Sequence, residues 1–323
     1  LKLIIQIPCY NEAETLPIAL AHLPRNVEGF DTVEWLVIDD GSDDGTAKLA
    51  RENGVDHVVS HTHNQGLARA FMTGIQFALE QGADVIVNTD ADNQYNGADI
   101  PKLAAPVLLG KADIVIGARP IDSIREFSAV KRFFQRLGSW VVRFASGTEV
   151  PDAPSGFRAF SRDAAGRLAV FNEYTYTLET IIQAGQRNMA IESVPVRVNP
   201  ALRPSRLMAG MWSYIRRSVV TILRIFVIYR PFRFFAMIGL VLFSAGTLIG
   251  LRFLYFYLIG EGSGHVQSLI LAGVLLITGF QTFLVAFLAD LLAANRKLLE
   301  EVRFMIKRQS KEPKPRSDMR SDK

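Results

Sequence analysis

The chain has one cysteine, Cys9, among 323 residues. That scarcity excludes a disulfide framework, a Cys-rich zinc site and an iron–sulfur cluster, and Cys9 itself reads as a buried thiol. No Gly-x-Gly-x-x-Gly follows the first apolar run, which argues against a dinucleotide-dependent dehydrogenase. Charge is also thin. Charged residues make up 21% and hydrophobic ones 49%, a balance that excludes a disordered chain and exceeds what a soluble enzyme needs, so part of the apolar excess is expected in lipid. Lys and Arg number 36 and Asp and Glu 32, a net charge of +4. Ten of the former and five of the latter fall in 296–323, leaving 26 against 27 before it. A neutral body with a basic tail suits an anionic membrane surface, and no nucleic-acid partner is expected. No N-terminal signal peptide is expected either, because the chain opens into the strand-like run Leu3–Ile7; Leu1 in place of Met fits the loss of a few residues.

Up to about Asn199, short apolar runs alternate with polar-periodic stretches, the pattern of an α/β domain with a parallel sheet flanked by helices. Strands are predicted at Leu3–Ile7, Glu34–Ile38, His57–Ser60, Val85–Asn88, Ile114–Gly117 and Ile191–Val198. Helices are predicted at Glu14–His22, Gly45–Asn53, Leu67–Gln81, Ile100–Leu109 and Val130–Ala145. Beyond Arg230, the uncharged runs Phe234–Leu251 and Leu269–Ala289 are each long enough to cross a hydrocarbon core of about 30 Å. The link Gly260–His265 has no Lys or Arg, whereas Arg230, Arg233, Arg296 and Lys297 flank the runs on the other side. By the positive-inside rule both termini and the α/β domain are expected on the cytoplasmic side of a cell membrane. Arg252, near the outer end of the first run, is expected to snorkel to the interface. Gly239, Ala245, Gly246 and Gly250 permit close helix packing, including that of a homo-oligomer. Met208–Tyr229 places Trp212, Ile215, Val219, Ile222 and Phe226 on one helical face and Arg216, Arg217 and Arg224 on another, as an interfacial helix would. The expected organisation is a catalytic domain over 1–207, an interfacial helix over 208–230, a two-helix transmembrane hairpin over 231–295 and a basic tail over 296–323.

Polar residues gather where strands end, which is where α/β sheets place their chemistry. Asp90-Ala91-Asp92-Asn93-Gln94 follows Val85–Asn88, and carboxylates at i and i+2 offer hard oxygen ligands for Mg²⁺ or Mn²⁺ on a diphosphate. Alone, that pattern is common in solvated turns. Pro8-Cys9-Tyr10-Asn11-Glu12 follows the first strand, where Tyr10 can border a base and Glu12 accept from its ring N–H. After the second strand, Asp39 and Asp40 can accept from base or ribose, while Asp43-Asp44-Gly45 reads as a turn and helix start. Asn64-Gln65-Gly66-Leu67-Ala68-Arg69 opens a helix whose amides, with Arg69, can face phosphate. His61 and His63 have neither a nearby Cys nor an evident acidic partner, so no zinc site is expected.

These pieces, in this order, resemble the family 2 nucleotide-sugar glycosyltransferases over roughly residues 3–200. Within that family the chain looks most like the polyprenyl-phosphate, dolichyl-phosphate mannose synthase-like branch. The resemblance implies a GT-A (Rossmann-like) fold, with Asp90, Asp92 and Gln94 as metal and diphosphate ligands. It also maps Ser155-Gly156-Phe157-Arg158, preceded by Asp152, and Gly117-Ala118-Arg119 onto family motifs. The donor set implied is Pro8, Tyr10, Asn11, Glu12, Asp39, Asp40, Gly66, Arg69, Asp90, Ala91 and Asp92. UDP- and GDP-sugars both fit it.

For the acceptor, a polyprenyl or dolichyl phosphate is largely dianionic near neutral pH and needs positioning and positive charge more than a strong base. Arg119, Lys131, Arg132, Arg136 and Arg206, with Ser155, are the candidates. By family analogy Asp152 lies near the acceptor, and Asp92, Asp152 and Arg119 are the expected catalytic residues. Glu179 either faces the site or lies on a helix surface. Asn199–Arg206 departs from the branch, which often has an Arg and a Gly before a Ser-Lys pair, and Asn93 with Tyr95 and Asn96 replaces a more usual apolar residue and proline; sugar specificity is what these changes touch. A glycan-extending synthase is the alternative, but a Gln-x-x-Arg-Trp is missing and two spans are few for a channel. A non-catalytic scaffold would not need intact Asp90, Asp92 and Gln94.

Overall fold

The computed structural model describes residues 1–120, 129–168, 170, 176–200, 216, 219–220, 223–224, 226–260 and 262–309. Among the described residues seven strands form one sheet in the order β3-β2-β1-β4-β6-β5-β7. They are β1 (Lys2–Cys9), β2 (Thr32–Asp39), β3 (His57–Ser60), β4 (Val85–Asn88), β5 (Ile114–Ala118), β6 (Arg158–Ser161) and β7 (Ile191–Pro195). The helices that cover it are α1 (Leu16–Ala21), α2 (Thr46–Glu52), α3 (Leu67–Glu80), α4 (Ile100–Leu108), α5 (Ala129–Ser146), α6 (Arg162–Arg167) and α7 (Thr177–Gln186). Residues 3–9 of β1 are all buried because helices cover both of its faces. In α3 the buried residues Ala68, Phe71, Gly74, Ile75 and Ala78 follow the helical period, and Gly74 lets the helix approach β1: a Cβ there would lie 2.4 Å from Gln6 Oε1.

The expectation of a parallel sheet needs one correction. β6 runs antiparallel to both β4 and β5. Four residues beginning with an arginine, Arg158-Ala159-Phe160-Ser161, carry no periodic signal of a buried strand. Its direction places the segment before it, 152–157, at the carboxyl ends of β4 and β5. β1 lies between β2 and β4, so the chain reverses its direction of travel across the sheet there, and ligands of open α/β sheets bind at such a switch point.

The chain divides into two compact units, Leu1–Ile222 and Leu223–Lys323. The second contains two long helices, Pro231–Leu258 and Val266–Gln309; the first, and residues 266–296 of the second, are long and apolar enough to cross a membrane. They meet through small residues. A Cβ on Gly239 would lie 3.1 Å from the Gly279 carbonyl oxygen, and one on Gly246 3.0 Å from the Leu276 backbone nitrogen. The expected small-residue stripe is thus used, at least in part, within the hairpin. The Arg252 guanidinium lies 5.4 Å from the Phe256 ring centre. Of the expected interfacial segment 208–230, residues 208–215, 217–218, 221–222 and 225 lie outside the described residues.

Candidate active site

The loops after β1 and β2 are tied to each other. Asn11 sits at a positive φ of 54°, its amide donates to Ser42 Oγ at 2.9 Å, and its Oδ1 accepts from the Asp43 amide at 3.1 Å. The Glu12 amide donates to Thr46 Oγ1 and the Ala13 amide to Asp44 Oδ2, both at 3.0 Å. Asp44 also accepts from the Thr46 amide, as expected for a turn opening a helix. Burial works against its charge, but hydrogen bonds from Thr46 and from the Ala13 and Thr46 amides hold its carboxyl below the usual range. Pro8 is in register with Ile38 inside the sheet, and Tyr10 is exposed beside the loops. Asp39 is buried at the end of β2, accepting from the Ser42 amide at 3.1 Å.

Asp40, expected to accept from base or ribose, has three partners within the protein. One oxygen accepts from the Gln65 amide at 2.9 Å and pairs with His61 Nδ1 at 2.7 Å; the other accepts from the Gly66 amide at 2.8 Å. Asp40 thus clamps the 61–66 loop, and both it and the Gly66 amide, expected to meet the donor, have partners inside the protein. His61, expected to lack an acidic partner, has Asp40 on one nitrogen and Thr73 Oγ1 at 3.0 Å on the other. These residues are far apart in sequence, and β2–β3 pairing brings them together. Arg69, in the first turn of α3, is exposed.

At the end of β4, Asp90, Asp92 and Gln94 share a short turn in which Asn93 has a φ of 56° and Asp92 Oδ1 accepts from the Gln94 amide at 3.0 Å. Ala91 packs into the core beneath them. Residues 196–199 hold the turn from behind: the Asn199 amide donates to the Gln94 carbonyl at 2.8 Å and its side chain to the Asn93 carbonyl at 3.0 Å. Burial and the Asp92 charge push the Asp90 carboxyl up to about 7, with Arg119 opposing them. Two crowded carboxylates of this kind suit a divalent cation, which would relieve their repulsion. Among the described residues no three His, Cys, Asp or Glu side chains gather as a metal site. Mg²⁺ is commonly held by one or two carboxylates and completed by substrate phosphate.

Beyond β5, Arg119 and Asp152 form a two-point ion pair, Nε to Oδ2 at 2.7 Å and Nη2 to Oδ1 at 3.0 Å, reinforced by the Arg119 amide at 3.2 Å. The side chains are 7% and 1% exposed. The pair therefore stands as a buried, preorganised unit in which Asp152 holds the Arg119 guanidinium at two points. Ser155 is buried in the same loop. Arg158 is structural: its guanidinium donates to the carbonyls of Ala153, Ser155 and Thr177 and to Thr180 Oγ1, all at 2.7 Å, fixing 153–155 to α7. Burial lowers its pKa to about 10. Glu179, in the first turn of α7, is buried, which excludes the helix-surface alternative. Arg136 is exposed on α5; the side chains of Lys131 and Arg132, and all of Arg206, lie outside the described residues.

One layer behind the carboxylates was not anticipated. Gln6 Nε2 donates to Asn88 Oδ1 at 2.9 Å, and Asn88 Nδ2 donates to the Gly156 carbonyl at 2.9 Å and the Tyr176 hydroxyl at 2.8 Å. Tyr95 accepts from the Gly156 amide at 3.0 Å and stacks on Phe157, with ring centres 5.0 Å apart. Gly156 is needed here, since a Cβ would lie 3.1 Å from Asp90 Oδ1 and 3.0 Å from the Tyr176 hydroxyl. Two amides, Gln6 and Asn88, inside otherwise apolar strands were the available signal.

A family model described as glycosyl transferase family 2 matches residues 4–168, just over half of the chain. The chain belongs to that family. Among relatives of this family 2 glycosyltransferase, the undecaprenyl-phosphate mannosyltransferase of Micrococcus luteus is 29% identical over 235 residues, 69% of this chain and 93% of that one. The UDP-N-acetylglucosamine–dolichyl-phosphate N-acetylglucosaminyltransferase of Methanococcus voltae is 30% identical over 216 residues, covering 59% and 83%. These relatives support the polyprenyl-phosphate branch. A solved structure of glucosyl-3-phosphoglycerate synthase from Mycobacterium tuberculosis with phosphoglyceric acid aligns with a TM-score of 0.55 at 23% identity, covering 69% of this chain and 79% of that one. The same synthase with Mn²⁺, UDP and product aligns at 0.51 and 22% identity, covering 68% and 79%. At these identities the likeness establishes the GT-A fold.

Proposed function

We propose that this enzyme moves one sugar from a UDP- or GDP-sugar to a polyprenyl or dolichyl phosphate, with inversion at the anomeric carbon. The observation that carries the reading is the crowded Asp90–Asp92 pair at the switch point, with the buried Arg119–Asp152 pair at the end of β5, one strand removed. Relatives named for undecaprenyl and dolichyl phosphate transfer support the acceptor class. Asp90, Asp92 and Gln94 would hold Mg²⁺ or Mn²⁺, the ions crystallised with UDP in the mycobacterial synthase. When bound, the cation neutralises charge on the departing nucleoside diphosphate.

The chain's own residues do the positioning. Tyr10 and the cross-tied 8–12 and 39–46 loops border the base and ribose, with Asp39 the buried acceptor between them; Arg69 sits at the phosphate side. An acceptor phosphate oxygen forms the new bond to the anomeric carbon as the bond to the diphosphate oxygen breaks. The dianionic nucleophile has no proton to lose, so Asp152 orients Arg119 and no general base is required. Arg119, Lys131, Arg132, Arg136 and Arg206 supply the positive charge for the acceptor, and Ser155 borders it. The two long helices span a cell membrane with both termini cytoplasmic and hold the site beside a lipid that cannot leave the bilayer.

The test uses purified full-length protein in detergent with Mg²⁺ or Mn²⁺, a short-chain polyprenyl phosphate and a panel of UDP- and GDP-sugars. Nucleoside diphosphate release that requires both metal and lipid phosphate is expected from one donor. Release stimulated instead by an oligosaccharide, or by a lipid already carrying sugar, would replace this reading with glycan extension.

A further inference from the structure

Helix α5 carries four Lys or Arg and no Asp or Glu in 18 residues. One flank is fixed to the catalytic unit. Ser139, Val141, Val142 and Ser146 are buried, Ser139 Oγ accepts from the Ala153 amide at 3.3 Å, and a Cβ on Gly185 of α7 would lie 2.3 Å from the Ser146 carbonyl oxygen. On the other flank, Phe133 is 60%, Trp140 52% and Phe144 42% exposed. At 3.6 residues per turn these three side chains fall within about 40° of arc, and Arg136 and Arg143 border them on one side. The Trp140 and Phe144 rings lie with centres 5.9 Å apart. Single exposed apolar residues are ordinary, but three aligned aromatics beside a purely cationic border mark an interaction surface.

The chemistry selects the partner. Two copies joined through this face would bring four guanidinium groups together, Arg136 and Arg143 from each. An anionic lipid surface accepts both halves of the pattern: aromatic rings settle at headgroup level and guanidinium groups meet lipid phosphate. We propose that α5 lies on an anionic bilayer surface through Phe133, Trp140 and Phe144, with Arg136 and Arg143 against the headgroups. The chain entering α5 comes from Arg119 and the chain leaving it reaches Asp152, six residue steps from Ser146 and so within about 22 Å. Seating α5 on the leaflet therefore holds both partners of the Arg119–Asp152 pair close to the surface where a lipid-borne phosphate lies. The inference rests on the membrane-spanning reading of the two long helices.

The experiment is spin-label accessibility on the full chain in nanodiscs containing anionic phospholipid, with single labels at Phe133→Cys, Trp140→Cys and Phe144→Cys. Lys48→Cys, exposed on α2, serves as the aqueous reference, and Leu248→Cys, 68% exposed on the first long helix, as the lipid reference. Cys9 is buried, and the unsubstituted chain should take no label. Labels at 133, 140 and 144 should relax several-fold more with oxygen, relative to a nickel chelate, than the label at 48, and this preference should fall when the anionic lipid is replaced by a zwitterionic one. If the three behave like position 48 while position 248 reports lipid, the α5 proposal is overturned alone. An aqueous signal at 248 would overturn the membrane reading as well. Spin–spin broadening between labels at 140 on two chains would assign the face to self-association instead, and a preference unaffected by lipid charge would overturn the electrostatic part.

Discussion

The two units of this chain are built inside out relative to each other. In Leu1–Ile222 the interior holds Asp39, Asp40, Asp99, Asp152, Arg158 and Glu179 alongside the apolar core. In Leu223–Lys323 the buried residues are small, among them Gly239, Gly246, Ala272 and Ala286, while large apolar side chains such as Leu248, Leu251 and Phe280 point outward. Water expels apolar surface, so the first unit is free to bury charge only where hydrogen bonds and ion pairs replace hydration. A hydrocarbon surround would remove that pressure, leaving close contact between small residues to hold the helices together. The candidate site thus lies in the first unit, and the second carries the two helices long and apolar enough to cross a membrane.

Substitutions can break each side of this contrast separately. Asp92→Ala should lower transfer by about 10²–10³-fold or more, the scale of losing charge stabilisation at the reacting centre, with membrane insertion unchanged; substantial retained transfer would remove Asp92 from the site. Arg158→Met leaves four buried acceptors without their donor and should cost about 3–5 kcal/mol of stability in denaturant unfolding. Gly156→Ala forces a methyl against Asp90 and Tyr176 and should cost about 1–3 kcal/mol together with activity. Gly246→Leu should loosen the hairpin by a similar amount, about 1–3 kcal/mol, yet spare donor binding by the first unit.

The smallest effect concerns pH. Asp99 pairs with Arg197 and Lys102, and although burial opposes its charge, these partners lower its carboxyl to about 2. A depressed carboxyl contributes stability fully present above its ordinary value of 3.8 and lost as pH falls towards about 2. Asp99→Asn should flatten the acid limb of the stability profile in that window; an unchanged profile would contradict the assignment.

Much of this was legible in the sequence where local rules govern. β3 and β4 fall at the expected residues, and the long helices contain both expected spans, because apolar periodicity and run length decide such elements. The Asp90–Gln94 turn was placed correctly at a strand end. What was not legible depends on pairing between distant segments. β6 carries a buried arginine whose partners lie in the 153–155 loop and α7, and Asp40 finds His61 only because β2 and β3 are neighbours. The Arg119–Asp152 contact likewise needs β6 to run backwards beside β5, a direction no local pattern encodes.

Whether one sugar is placed directly on a lipid phosphate is tested most directly by the product itself. Mass spectrometry and NMR of the lipid formed from the responsive donor should show one sugar per lipid phosphate, with the anomeric configuration inverted relative to the donor. A product bearing several sugars on one lipid, or one with retained configuration, would contradict the account.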